Sequence, residues 1–157
     1  MEASAKLSRH LTRNEFVALA GGALVATGVF LHWYETNAGN RAANIDGRKG
    51  AFSAWDVHPI LRWLLLAAAV APFILAYIIV RGHQLSWARG EMTAVVAIAA
   101  FGLILYNGVI DRPGEPSSEI SLQPGWWVAV LGTLLMLSGA ALRSSEVERT
   151  RKPPGVI

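Results

Sequence analysis

Residues 63–80 read WLLLAAAVAPFILAYIIV and stand between Arg62 and Arg81. No charged side chain interrupts them, and a helix needs about 20 mostly apolar residues to cross the roughly 30 Å hydrocarbon core of a bilayer. Three other stretches have the same shape. FVALAGGALVATGVFLHWY fills 16–34 between Glu15 and Glu35, and MTAVVAIAAFGLILYNGVI fills 92–110 between Glu91 and Asp111. ISLQPGWWVAVLGTLLMLSGAAL fills 120–142 between Glu119 and Arg143, with Pro124 and Gly125 marking where its helix begins. Charge at both ends stops a span, because Lys, Arg or Asp at mid-helix costs about 2.5–3.5 kcal/mol. The expected fold is an all-α membrane protein, an up-and-down bundle of four transmembrane helices with a small extracellular hairpin or loop cap. It forms one domain with spans at about 16–34, 60–80, 92–110 and 125–142, outer loops 35–59 and 111–124, a cytoplasmic loop 81–91 and a cytoplasmic tail 143–157.

Composition agrees with this reading. Of 157 residues, 53% are hydrophobic and only 16% charged, where a soluble domain carries about a quarter charged residues. Disorder is excluded by that balance. The net charge of +3 would suit a nucleic-acid partner, but its distribution points elsewhere. Lys6, Arg9, Arg13, Arg81, Arg89, Arg143, Arg149, Arg151 and Lys152 fall on one side of the threading, while Arg41, Arg48, Lys49, Arg62 and Arg112 fall on the other. With five acids on the first side and six on the second, the balance is +4 against −1. Both termini are therefore expected in the cytoplasm, and the partner of the positive charge is the lipid bilayer, with no nucleic acid involved. The first run exceeds the about 7–15 residues of a signal-peptide core and ends in bulky His32, Trp33 and Tyr34, so it reads as a retained span. The absence of Cys rules out disulfides, thiolate metal sites and iron–sulfur clusters.

The membrane interior contains no Asp, Glu, Lys or Arg, and no His at depth. Ion-coupled transporters, pumps and voltage sensors keep such groups in the membrane, and haem bundles need inward histidines. Here His10 and His83 lie at the inner ends and His32 and His58 at the outer ones. Ala18, Gly22 and Ala26 recur every fourth residue, a stripe along which a second helix can approach closely, within the bundle or between protomers. Pro72 is expected to kink the second span. Trp33, Tyr34, Trp55, Trp63, Trp126 and Trp127 gather at the outer boundary as a rim that anchors in lipid headgroups or packs on a partner. Asn107 and Thr133 are polar groups in spans three and four, suited to interhelical hydrogen bonds or to the polar ring of an oligomeric pore.

One constellation carries chemistry. His32 and Glu35 share a helical face at i and i+3 if the helix persists, and Asp56 and His58 offer a second imidazole–carboxylate pair. Together they would suit a divalent transition metal, with water activation for a hydrolase as the catalytic version. The competing reading is capping, with Asp56 at the N-terminus of the second helix and Glu35 paired with Arg62 or Arg41. In the first outer loop, Asp46-Gly47 suits a type I′ turn, so a small hairpin or ordered loop is expected over the bundle mouth. The second outer loop, DRPGEPSSEISLQPG, has three prolines and is expected to be extended.

Several short signals recur in a definite order. Trp33-Tyr34 closes span one, Ala51-Phe52-Ser53-Ala54-Trp55-Asp56-Val57 leads into span two, Tyr106 with Asp111-Arg112-Pro113-Gly114 follows span three, and Gly125-Trp126-Trp127 opens span four. In this the chain resembles, over nearly its whole length, a set of small four-span membrane proteins of actinobacteria-like genomes. The resemblance implies a multi-pass protein of the bacterial plasma membrane and supplies no activity. A looser likeness is to claudin-type tetraspans, whose paired loop cysteines are missing here and whose first loop is longer, so no adhesion residue carries over. The expected function is a non-catalytic scaffold or accessory subunit, as a homo-oligomer or within a larger membrane complex. It would hold no cofactor beyond a divalent metal at the outer face. The alternatives are an oligomeric pore and an outer-face metal-binding protein or hydrolase.

Overall fold

The computed structural model describes residues 10–83 and 90–150, the last seven of these without side chains. Lys6, Arg9, Arg89, Arg151 and Lys152, which bear on the expected charge asymmetry, lie outside the described residues, as do most of loop 81–91 and the end of the tail.

The first helix, α1, spans Arg13–Phe30. Thr12 precedes it in extended conformation, and the Thr12 backbone N–H donates to the Glu15 carboxylate at 2.5 Å, satisfying one of the donors that a helix start leaves open. Glu15 is only 6% exposed and lies 3.4 Å from Arg143. At its other end the helix stops where Leu31 turns extended, and the Trp33 indole N–H donates to the Gly28 carbonyl at 2.7 Å. The expectation of helix through Tyr34 is therefore corrected. His32–Thr36 forms a strand, β1, because its aromatic and β-branched residues suit a pleated surface and two further strands supply partners. β2 is Ala51–Ser53 and β3 is Ile120–Leu122. They flank β1 in an antiparallel sheet of order β2-β1-β3, with Glu35 opposite Ala51 on one side and Ser121 on the other. A register shift between His32 and Tyr34 breaks the two-residue alternation, so Trp33 and Tyr34 are both buried while His32 and Glu35 face out.

The sheet is the cap anticipated from the loops, with its central strand drawn from what reads as span one. Asp46 and Gly47 have φ of 50° and 73°, and Ile45 and Arg48 exchange backbone hydrogen bonds at 2.8 and 2.9 Å, as a type I′ turn requires. The loop 111–124 is not simply extended: it contains a 3₁₀ turn at Ser117–Glu119 and then β3.

After β2 comes a single-turn helix, α2 (Ala54–Val57), then α3 (Leu61–Val80) with Pro72 inside it. α4 (Glu91–Leu105) continues as a π-helical turn over Tyr106–Ile110, and α5 runs over Pro124–Thr150. The chain is thus mostly helical with one small sheet. Three helical stretches among the described residues, Leu61–Val80, Glu91–Ile110 and Pro124–Arg143, are long and apolar enough to cross a membrane. α1 is about 27 Å long at 1.5 Å per residue, but its first turn spends that length on Arg13, Asn14 and Glu15.

Helix α1 packs along α5 and against α3, while α4 packs against α5 and α3. The α1–α5 seam is the tightest. A Cβ on Gly21 would stand 2.5 Å from the Gly132 carbonyl, and one on Gly132 would stand 2.7 Å from that of Gly21, so the two backbones touch with no room for a methyl group. Gly22, from the expected stripe, meets α3: its Cβ would lie 2.6 Å from the Ala69 carbonyl and 2.9 Å from Pro72. Ala18 and Gly22 are buried inside the chain and Ala26 is half-buried against its core, so this stripe closes the chain upon itself.

Candidate functional site

The sheet and the adjacent helix ends bring together most polar side chains singled out above, but not as one metal cluster. His32 is exposed on β1, and Glu35 accepts from the Gln123 side-chain amide at 2.8 Å. In a strand these two do not share a helical face, which removes the spacing argument for the pair. The Asp56 carboxylate accepts from the Ser53 backbone N–H at 3.0 Å and from its hydroxyl at 2.7 Å. This is a capping box at the start of α2, with Ser53 as N-cap and Asp56 as the third helical residue; the expectation of Asp56 as cap of the long helix is corrected, since that helix begins at Leu61 after Ile60. The Ser53 hydrogen bonds hold the Asp56 carboxyl below the usual carboxylate value, with smaller contributions from the charges of Arg48 and His32. Arg62 is not paired with Glu35; it donates to the Trp55 carbonyl at 2.9 Å and stacks over the Trp55 ring, 4.6 Å from its centre. Among the described residues no three His, Asp or Glu side chains group in a way that holds a metal ion.

His58 belongs to a different cluster. Its Nε2 lies 2.8 Å from the Tyr34 hydroxyl, which also lies 3.0 Å from the Asn107 carbonyl oxygen. A carbonyl only accepts, so the hydroxyl donates to Asn107 and must accept from His58. The neutral imidazole therefore carries its proton on Nε2, leaving Nδ1 as an acceptor. Burial pushes the His58 pKa below its ordinary value, against an opposing pull from the Asp111 carboxylate. Burial also raises the Tyr34 phenol far above its usual value, so it remains protonated. The rings of Trp33 and Tyr34 stand edge-on to the imidazole, with centres at 6.2 and 5.6 Å.

The π-helical turn explains why a carbonyl is free for Tyr34. Asp111 N–H closes on Tyr106 rather than on Asn107, and three separate groups take up the remaining carbonyls at the end of α4. Tyr34 donates to Asn107, the Arg112 Nε to Gly108 at 2.9 Å, and the Trp126 indole N–H to Ile104 at 3.0 Å. Gly108 is required there, since a Cβ would lie 2.0 Å from the Trp126 indole nitrogen. A π-helical turn of this sort often marks a functional position. The signal available in the sequence was Asn107-Gly108 interrupting an aliphatic run, with Arg112 just beyond it.

The six aromatic residues expected at the rim divide accordingly. Trp33 and Tyr34 are fully buried and Trp126 is nearly so, each spending its polar group on a helix-end carbonyl. Trp63 and Trp127 are more than half exposed, and Trp55 is half-buried against Trp63 and Phe30. The two pore candidates do not meet. Thr133 is wholly buried and bonds the Val130 carbonyl of its own helix, while Asn107 is half-buried and bonds the Leu103 carbonyl of its own.

His58 and Asn107 line an open cleft of about 280 Å³ with Pro59, Ile60, Leu64 and Leu103. The site offers hydrogen-bond acceptors beside apolar walls and carries no acid, base or nucleophile poised over a common point. No protein-family model, no curated protein and no solved structure matches the chain.

Proposed function

We propose that the chain is a multi-pass membrane protein, of the kind represented by the small four-span proteins it resembles, acting as a non-catalytic scaffold or accessory subunit within the plasma membrane. All four long helices then lie across the bilayer, the sheet forms a cap on the outer surface, and both termini face the cytoplasm. The observation that carries this reading is the apolar surface of α3 and of α4 with its π-helical extension. They have mean hydropathies of 2.5 and 2.1, yet only 28% of each is buried inside the chain. Phe73, Ile74, Tyr77, Val95 and Ile98 project outward, a surface that needs lipid or another helix to cover it. Internal polar groups in the spans are spent on their own backbones: Thr27 on Ala23, Asn107 on Leu103, Ser138 on Leu135. No Asp, Glu, Lys or Arg lies within the apolar runs to bind or carry an ion, which favours a packing role over a conduction path.

Extraction in mild detergent followed by mass measurement tests the scaffold role. An assembly larger than one chain supports it, and a bare monomer recovered from native membranes contradicts it. Because Gly22 packs against α3 within the chain, Gly22→Leu should unfold the monomer; an intact monomer that merely fails to assemble would instead assign this stripe to a protomer interface.

A further inference from the structure

The seam between α3 and α4 is open, unlike the close-packed α1–α5 seam. A groove of about 280 Å³ runs along it over Ala67, Ala68, Ala99 and Ala100, and Leu64 and Leu103 join it to the cleft under His58 and Asn107. Groove and cleft adjoin at Leu64 and Leu103, so this two-part channel is polar at one end and apolar along its length, graded as a lipid is graded from head to tail. At the polar end, His58 Nε2 is committed to Tyr34 and the Asn107 amide nitrogen to Leu103. Two acceptors remain without partners among the described residues, His58 Nδ1 and Asn107 Oδ1, and no Lys, Arg, Asp or Glu lines either part of the channel. A charged phosphate or carboxylate head would find no counter-ion there. A helix of a second copy would also suit the alanine floor, and the cross-linking arm of the test separates it from a lipid.

We infer that the α3–α4 seam is a binding site for a neutral single-chain lipid, whose tail lies on the alanine floor and whose hydroxyl head donates to His58 Nδ1 and Asn107 Oδ1. The inference rests on the reading that α3 and α4 lie in a bilayer. It gives the scaffold a bound amphiphile of defined chemistry, an uncharged hydroxylated head of the monoacylglycerol class.

The full chain in phosphatidylcholine vesicles, exposed to a monoacylglycerol with a diazirine in its acyl chain, tests this. Expected are saturable labelling on α3 and α4, displacement by unlabelled monooleoylglycerol, and no displacement by the same concentration of phosphatidylglycerol. Ala99→Trp fills the groove from an exposed wall position and should cut labelling at least about tenfold, and Ala67→Phe on the facing wall should do the same. Asn107→Leu removes one acceptor and should weaken apparent affinity about three- to tenfold. Labelling that does not saturate, equal displacement by phosphatidylglycerol, or undiminished labelling of both groove-filling variants would overturn the site. So would an Ala99→Cys variant that oxidises to a disulfide-linked pair of chains, since the seam would then hold a second helix. A chain that washes off the vesicles in alkaline carbonate overturns the membrane reading together with the site, whereas a chain that stays and takes no label overturns the site alone.

Discussion

The α1–α5 seam and the α3–α4 seam are both lined by small residues, and they end in opposite states. Across the first, Gly21 and Gly132 let two backbones approach until a single Cβ on either would collide with a carbonyl. Across the second, Ala67, Ala68, Ala99 and Ala100 keep their methyl groups and border a groove of about 280 Å³. The difference lies in what holds the helix ends. Glu15 and Arg143 join α1 to α5 at one end, and Trp33, capping α1, fixes the chain where it enters the sheet. Among the described residues, α3 and α4 are linked at their sheet end through the Tyr34–His58–Asn107 hydrogen bonds, and Pro72 interrupts the backbone ladder of α3. Small residues allow close packing; they enforce it only where the ends are tied.

The sharpest way to break this contrast is to put side chains on both seams. Gly132→Leu on the closed seam should cost more than about 3 kcal/mol, since backbone atoms cannot step aside as side chains do, and it should abolish a cooperative thermal transition in detergent. Ala99→Leu on the open seam should stay within about 0.5 kcal/mol of the parent. Equal losses for the two would show that the seams do not differ.

Next in size is the pinning of the helix ends. Trp126→Phe leaves the Ile104 carbonyl without its indole donor in a buried position and should cost about 1–3 kcal/mol, read from the midpoint of thermal unfolding. Trp33→Phe should cost a similar amount through Gly28. Both losses exceed what is expected of Trp127→Phe, whose ring is more than half exposed. That ordering would fail if all six aromatic residues served only as lipid anchors.

Acid should loosen the open seam before the closed one. His58 titrates below its ordinary value of 6.5 in the folded chain, so the folded state takes up this proton less readily than the unfolded state. Its contribution is therefore complete above that value and is lost as the pH falls below it. Hydrogen-exchange protection at Asn107 and neighbouring amides, measured against the intrinsic rate at each pH, should fall between neutral and mildly acidic pH, with His58→Gln flattening the response. A response that persists in His58→Gln would assign it to another group. Smallest is the cap at α2, where Asp56→Ala should cost about 1 kcal/mol and leave both seams unchanged.

Much of the fold was legible because bilayer-length apolar runs bounded by charge have few alternative readings. The stretches at 63–80, 92–110 and 125–142 all fall within helices. Asp46-Gly47 announced its turn through the positive φ that both residues tolerate. The end of α1 was not legible, since His32-Trp33-Tyr34 continues an apolar run and only pairing with residues about 20 and 90 positions away makes it a strand. The same long-range pairing dissolved the proposed face of His32 and Glu35. The Tyr34–His58–Asn107 cluster escaped for a related reason: its central acceptor is a backbone carbonyl freed by a π-helical turn, which has no side-chain signature.

The absence of cysteine from the chain makes one measurement decisive for the membrane reading. Single cysteines at Ala38 beside the sheet, at Arg81 beyond α3 and at Ile74 on the outward face of α3 can each be tested with a membrane-impermeant maleimide, on intact cells and on inverted vesicles. If α3 crosses the bilayer with the sheet outside, Ala38→Cys labels in cells, Arg81→Cys labels only in inverted vesicles, and Ile74→Cys labels in neither until detergent is added. Labelling of Ala38→Cys and Arg81→Cys from the same side, or free labelling of Ile74→Cys in sealed membranes, would contradict it.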